Sequence, residues 1–318
     1  MNKIVFGTML DERSRNLIEC TFKNINFKFF SDIEHASMSE KEAEVIIGFG
    51  HEMTEQVLNN FKNIKWIHTL SAGVDSLPFD KLKQKNVIVT NSRGVHAIPM
   101  SEYAIGVMLQ LTKHFYDYYN FKKERRWDNS LLAEELEGKV IGIIGTGAIG
   151  STIAKKLQPF NTIINGINTT GKAIPYFDWN GSMDKLDQLL STSDFVILTI
   201  PLTKKTENLI TKDQLDLMKT TSYLINLSRG EIVNEEGLIS ILKERKIRGA
   251  VLDVFINEPL PKNHPLWELD NVMITPHISD SSPFFFNRVT KILIHNLHCF
   301  SRNKNNMMIN QVDLEKHY

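Results

Sequence analysis

Three glycines, Gly145, Gly147 and Gly150, stand in the pattern G-x-G-x-x-G inside VIGIIGTGAIG (140–150). The pattern carries chemistry only when it follows a strand and opens a helix. Both conditions hold here: a β-branched run precedes it, and Ile149, Ile153 and Leu157 then fall on one helical face. Each glycine has its own reason. Gly145 permits a tight turn, Gly147 lets backbone approach a pyrophosphate, and Gly150 allows helix and strand to pack closely. The helix start offers free N–H groups and a partial positive charge to phosphates. Thr146, Ala148 and Ile149 lie in the same loop.

Such a loop is normally answered, about 20 residues on, by an acid that binds the ribose hydroxyls. Here the answering stretch is INTTGK (167–172), with Asn168, Thr169, Thr170 and Lys172. A carboxylate would accept from a plain ribose and repel a 2′-phosphate. This uncharged cluster offers hydroxyl and amide donors, and Lys172 adds a point charge suited to a phosphate. The composition of the stretch therefore favours NADP over NAD.

A third group could bind metal. His295, His298 and Cys299 sit at i, i+3 and i+4, one face of a helix, with spacing that suits zinc. No fourth ligand is evident, so we read them as structural and expect no metal. Cys20 is far from Cys299 in sequence, and neither has a nucleophile's surroundings.

The elements that must position these groups read as alternating strands and helices. Apolar, β-branched runs at 3–7, 44–48, 65–69 and 86–90 predict buried strands in a parallel α/β sheet. A long helix is expected from near Pro99. Its segment 101–115 is apolar almost all round and is expected to be buried. KKERR (122–126) reads as a solvated helix face, and 121–138, with Trp127, as an exposed arm or oligomer contact. A second alternation starts at Lys139: strands at 140–145, 162–167, 194–200, 222–227, 249–255 and 271–275, with helices near 183–190 and around Leu238, Ile241 and Leu242. The tail beyond Ser282 reads as one helix (286–300).

Bulk numbers limit the function classes. The chain has 318 residues, which suggests about two domains, and its 37 basic and 37 acidic residues give zero formal net charge. No bulk positive charge favours nucleic acid, so no nucleic-acid partner is expected. No apolar run approaches the roughly 20 residues of a membrane span, and the N-terminus lacks a signal-peptide pattern. The expectation is a cytoplasmic protein with no membrane partner.

LSAGVDSL (70–77), TNSRGVHA (90–97), the glycine loop, NLSRGEIVNEEGL (226–238), LDVFINEPL (252–260) and PLWELDNVMITPHIS (265–279) occur in that order. With this set the chain resembles the D-isomer-specific 2-hydroxyacid dehydrogenases over nearly its whole length. It looks most similar to short members of the glyoxylate/hydroxypyruvate reductase kind. The missing acid after the second strand is the clearest departure.

The resemblance implies two doubly wound parallel-sheet domains, with a Rossmann-type cofactor domain (98–281) inserted in a flavodoxin-like substrate domain (1–97 and 282–318). It implies a catalytic trio of Arg229, Glu258 and His277. An Arg fork suits the carboxylate and carbonyl oxygens of a 2-oxo acid. A His can donate a proton near neutral pH, and a neighbouring Glu would stabilise the imidazolium. By the same resemblance the N–H groups of Ala72, Gly73 and Val74 face the substrate carboxylate as an anion nest. Asp253 would lie near the nicotinamide carboxamide, and Pro201 in a loop passing over the nicotinamide. The implied function is NADPH-preferring reduction of a small 2-oxo acid to the D-2-hydroxy acid by a homodimer. The alternatives are an NAD-dependent enzyme of the same class, or a nucleotide-sensing, corepressor-like binding protein. Phe284, Phe285 and Phe286 read as core, with a place lining the site or the domain junction as the alternative.

Overall fold

A computed structural model describes residues 3–317. The chain divides into two compact units, one of residues up to 96 together with those from 282, the other Ala97–Ser281.

The first unit is built on five parallel strands, β1 (Lys3–Phe6), β2 (Asn26–Phe29), β3 (Val45–Gly48), β4 (Trp66–Thr69) and β5 (Ile88–Asn91), in the order β2-β1-β3-β4-β5. That is a flavodoxin-like order. Four helices connect them: α1 (Glu12–Thr21), α2 (Ile33–Ser39), α3 (Glu55–Asn60) and α4 (Phe79–Gln84). β3 and β4 are buried at every position; β3 is accordingly an apolar run, whereas β4 buries His68 and Thr69 beside Trp66 and Ile67. Val5, Ile46, Ile67 and Val89 build the core on one face of the sheet. Ile4, Phe6, Val45, Ile47 and Trp66 build the other, against Val289, Leu293 and Leu297 of the C-terminal helix, Phe285–Ser301.

The second unit opens with α5 (Ala97–Lys113) and α6 (Phe115–Lys123). Seven parallel strands follow: β6 (Val140–Ile144), β7 (Ile163–Ile167), β8 (Trp179–Gly181), β9 (Phe195–Leu198), β10 (Tyr223–Asn226), β11 (Gly249–Leu252) and β12 (Val272–Ile274). Their order is β12-β11-β10-β9-β6-β7-β8. Helices α7 (Ala148–Leu157), α8 (Leu186–Thr192), α9 (Lys212–Asp216) and α10 (Glu235–Lys243) cross between them. The order reverses between β6 and β9, and in open α/β sheets ligands bind beyond the strand ends at such a switch point. Ile141, Ile143, Ile153 and Leu157 are fully buried, together with Ala104 and Met108 of α5, and Met100 packs beside them. Each large aliphatic side chain so buried contributes about 1.5–3 kcal/mol.

Four sequence expectations need correction. The helix expected through Phe115 breaks at His114, which is left-handed (φ 54°), and only one face of α5 is fully buried. KKERR is solvated at all five positions, but only Lys122 and Lys123 are helical: α6 ends at Lys123, where these two cations complement the negative end of the helix dipole, and Arg126 stacks 3.6 Å over Phe121. The tail is more than one helix. Gln311 bridges Thr90 antiparallel and the Val312 N–H donates to Val89 O at 2.9 Å, so the tail covers the edge of β5. Of the three phenylalanines, Phe285 and Phe286 pack partly buried on the first-unit core, whereas Phe284 is 61% exposed. Trp127 is fully exposed.

Candidate active site

β6 delivers the glycine loop to the N-terminus of α7. Gly145 holds φ +104°, and a Cβ there would lie 2.8 Å from Thr199 O. A Cβ on Gly150 would lie 2.0 Å from Gly145 O, backbone against backbone. A Cβ on Gly147 would meet nothing within 4 Å. Two glycines are thus demanded by the fold, and the third leaves an open cradle. Gly147 is the N-cap of α7 and supplies no side-chain cap, so the first-turn N–H groups face that cradle uncapped. The geometry fits a pyrophosphate. Thr146 is buried, Ile149 half-buried and Ala148 exposed. Thr199, at the end of β9, locks the turn by donating to Gly145 O at 2.7 Å. Pro201 follows it, exposed, in a loop tied by Thr206 Oγ1 donating to Pro201 O at 2.7 Å.

At the end of β7 the Asn168 side chain is committed to its own turn. Its oxygen accepts from Thr170 N–H (3.1 Å) and from Thr170 Oγ1 (3.2 Å), and its amide donates to Lys172 O at 2.9 Å. Asn168 therefore shapes the loop. Thr169 and Lys172 are exposed, and no described residue bonds their side chains.

Arg229 lies just beyond β10, half-buried. The Asn226 side chain grips the turn, donating to Arg229 O at 2.9 Å and accepting from Ser228 N–H at 3.0 Å. Arg229 Nη1 donates to Ser228 O at 2.8 Å. Gly230 next to it admits no side chain, because a Cβ would sit 2.2 Å from the Phe255 carbonyl carbon.

His277 and Glu258 are brought together from loops 19 residues apart: His277 Nδ1 is 2.8 Å from Glu258 Oε2. The other carboxylate oxygen accepts from the Phe255 N–H at 2.9 Å, which fixes the group. A carboxylate only accepts, so Nδ1 carries a proton and Nε2 is left for a reacting partner. The His277 side chain is 40% exposed, so a substrate can reach it.

Asp253 is fully buried. Its carboxylate accepts from Thr275 Oγ1 (2.5 Å), Ile278 N–H (2.9 Å) and Ser279 N–H (2.9 Å). The side chain expected near a carboxamide is therefore spent on holding the loop that carries His277. In the first unit, 71–74 follows β4. Val74 packs in the core, and Asn91 Nδ2 donates to Ala72 O at 2.8 Å. No described residue accepts a hydrogen bond from the N–H of Ala72, Gly73 or Val74.

The histidines of the C-terminal helix do not converge. The His298 ring packs on Phe22 at 4.6 Å, while His295 Nε2 lies 3.0 Å from Met307 O and 3.6 Å from Cys299 Sγ. Among the described residues no group of three or more His, Cys, Asp or Glu could hold a metal ion. No described helix is long and apolar enough to cross a membrane. The sequence reading missed Thr199, Asn226 and Thr275, ordinary polar residues at strand ends with no local pattern to mark them.

The family model for the D-isomer specific 2-hydroxyacid dehydrogenase NAD-binding domain matches residues 105–279. A glyoxylate reductase of Thermofilum pendens is 36% identical over 252 residues, 76% of this chain and 73% of its own. A glyoxylate reductase of Pyrococcus furiosus is 30% identical over 311 residues, 94% of this chain and 92% of its own. The crystal structure of a D-lactate dehydrogenase from Aquifex aeolicus, complexed with NAD and lactic acid, superposes with a TM-score of 0.82. It is 27% identical, and the match covers 98% of this chain and 99% of that one.

Proposed function

The chain belongs to the D-isomer-specific 2-hydroxyacid dehydrogenase family, and from that premise we propose that it reduces a glyoxylate-like 2-oxo acid to the D-2-hydroxy acid, with NADPH preferred. It is an oxidoreductase acting on 2-oxo and 2-hydroxy acids with a nicotinamide dinucleotide. The observation that carries the mechanistic reading is the 2.8 Å contact between His277 and Glu258.

In this reading the Gly145–Gly150 loop, with Thr146, Ala148 and Ile149, holds the pyrophosphate in the cradle that Gly147 leaves open. When bound, the reduced nicotinamide supplies hydride to C2 of the 2-oxo acid. His277 Nε2 gives the carbonyl oxygen its proton, and Glu258 holds the ring and balances the imidazolium. Arg229 holds the substrate oxygens and stabilises negative charge developing on the carbonyl. The free N–H groups of Ala72, Gly73 and Val74 take the substrate carboxylate. In the reverse direction His277 is the base.

The preference for NADPH rests on the missing acid after β7. Thr169 and Lys172 are the groups assigned to the 2′-phosphate, since the Asn168 and Thr170 side chains are engaged with each other in the turn. We also propose a homodimer, with the exposed Trp127 and Leu132 (86% exposed) in the contact. The molar mass in solution tests that part.

Steady-state kinetics with NADPH and NADH on glyoxylate, hydroxypyruvate, pyruvate and a branched 2-oxo acid test the enzymatic reading. The expected result is turnover of the smallest acids and a higher kcat/KM with NADPH. A higher kcat/KM with NADH would overturn the cofactor assignment.

A further inference from the structure

His277 has φ +52°. A residue other than glycine in that region costs about 1–2 kcal/mol, which the surrounding structure must offset. What holds it is Asp253. Four hydrogen bonds from 275–279 converge on this one residue: Thr275 Oγ1, Ile278 N–H and Ser279 N–H reach its carboxylate, and His277 N–H reaches its backbone oxygen at 2.9 Å. Among the described residues no cation pairs with this buried carboxylate, so hydroxyl and amide donors alone satisfy it.

The chain of donors has one more member. Tyr103 on α5 places its hydroxyl 2.6 Å from Thr275 Oγ1, across 172 residues of sequence. An ionised carboxylate accepts only, and Thr275 has one proton to give, so it gives that proton to Asp253. The Tyr103 hydroxyl is then the donor to Thr275. Burial, with a further contribution from the Asp253 charge, pushes this hydroxyl up to about 12, so it remains a donor at any working pH. Donors in series polarise one another and strengthen the terminal bond to the carboxylate.

We propose that Tyr103 is a positioning residue for His277, acting through the Thr275 hydroxyl and the buried Asp253 carboxylate. The inference rests on His277 being the proton donor. Tyr103 touches no reacting atom; it stiffens the hub around which the His277 loop is wound. Small misplacement of a proton donor lowers turnover by about tenfold to a hundredfold without altering how the dinucleotide is held.

The test compares Tyr103→Phe, Thr275→Val, Thr275→Ser and His277→Ala, with glyoxylate and NADPH as the probes. The expected result is a kcat lowered about tenfold or more in Tyr103→Phe and Thr275→Val, and within about twofold of the parent in Thr275→Ser. KM for NADPH and its binding by fluorescence titration should stay unchanged throughout. A purely structural role would lower thermal stability and the active fraction but leave kcat per NADPH-binding site intact, and that pattern would overturn the proposal. So would a Thr275→Ser variant as impaired as Thr275→Val. If Tyr103→Phe fails to fold, Tyr103→Leu takes its place and is read in the same way. His277→Ala separates the levels: parental kcat there removes the reading on which the relay rests. Its loss beside a fully active Tyr103→Phe removes only the relay.

Discussion

Glu258 uses its two carboxylate oxygens for two different tasks: one accepts from the Phe255 N–H at 2.9 Å, the other meets His277 Nδ1 at 2.8 Å. The acid is anchored to backbone on one side and orients a ring on the other. That arrangement separates the effects of the two residues. His277→Ala removes the proton donor and should lower kcat by about 10²–10⁴-fold. Glu258→Gln keeps an oxygen or an amide in place but loses the charge opposite the imidazolium, and should cost about 10–10²-fold. Dinucleotide affinity should be unchanged in both. Stopped-flow turnover with fluorescence-titrated NADPH measures the two quantities together, and an unchanged kcat in His277→Ala would remove it from the mechanism.

Cofactor choice can be asked at Lys172. Asn168→Asp would place an acid where an NAD enzyme has one, but it also deletes the amide that donates to Lys172 O. Lys172→Asp leaves the Asn168 turn intact and reverses the charge facing a 2′-phosphate. The expected outcome is a kcat/KM for NADPH lowered by about tenfold or more, or 1.4 kcal/mol, with the NADH value retained. Equal losses with both cofactors would show that Lys172 does not read the phosphate.

Much of this was legible in the residues, for physical reasons that also explain the gaps. β3, β6 and β9 are central, buried on both faces, and so read as plain apolar runs, while β4 (WIHT) is as deeply buried but carries His68 and Thr69. β2 and β8 escaped because neither forms an apolar run: NFKF alternates exposed and half-buried positions, and Trp179–Gly181 spans three residues. The glycine loop announces itself because its constraints are local. The contacts Tyr103–Thr275 and Thr199–Gly145 join residues far apart in sequence, and no spacing rule could pair them. Family likeness identified Asp253 as a site residue, but only the geometry shows where its carboxylate is spent.

His68 gives a stability prediction in the first unit. It is fully buried between Thr90 Oγ1 (2.8 Å) and Ser92 Oγ (3.1 Å), and burial pushes its imidazole down to about 3. The unfolded chain takes up a proton near pH 6.5, whereas the folded chain resists it until about pH 3. Protonation therefore favours unfolding. The contribution is intact above pH 6.5 and is lost as pH falls toward 3, by up to about 1.4 kcal/mol per pH unit. Denaturant unfolding between pH 4 and 7, comparing the parent with His68→Gln, should show a shallower loss in the variant. Equal slopes would mean that another group takes up the proton.

Gly147 and Gly150, two of the three glycines of the phosphate loop, should fail in opposite ways. A methyl group at Gly150 has to displace the Gly145 carbonyl, which lies 2.0 Å from where Cβ would stand, and both partners are backbone. Nothing flexible can yield, so Gly150→Ala should lower stability by about 1–3 kcal/mol or more, as overpacked sites do. At Gly147 the same methyl group enters open space. Gly147→Ala should keep the parental melting temperature, since the fold makes no demand there. It should nonetheless weaken dinucleotide binding, because the added carbon occupies the cradle that uncapped α7 presents. Thermal melts paired with NADPH titration measure both axes. A Gly147→Ala variant that binds NADPH with parental affinity would show that the pyrophosphate does not sit against this backbone.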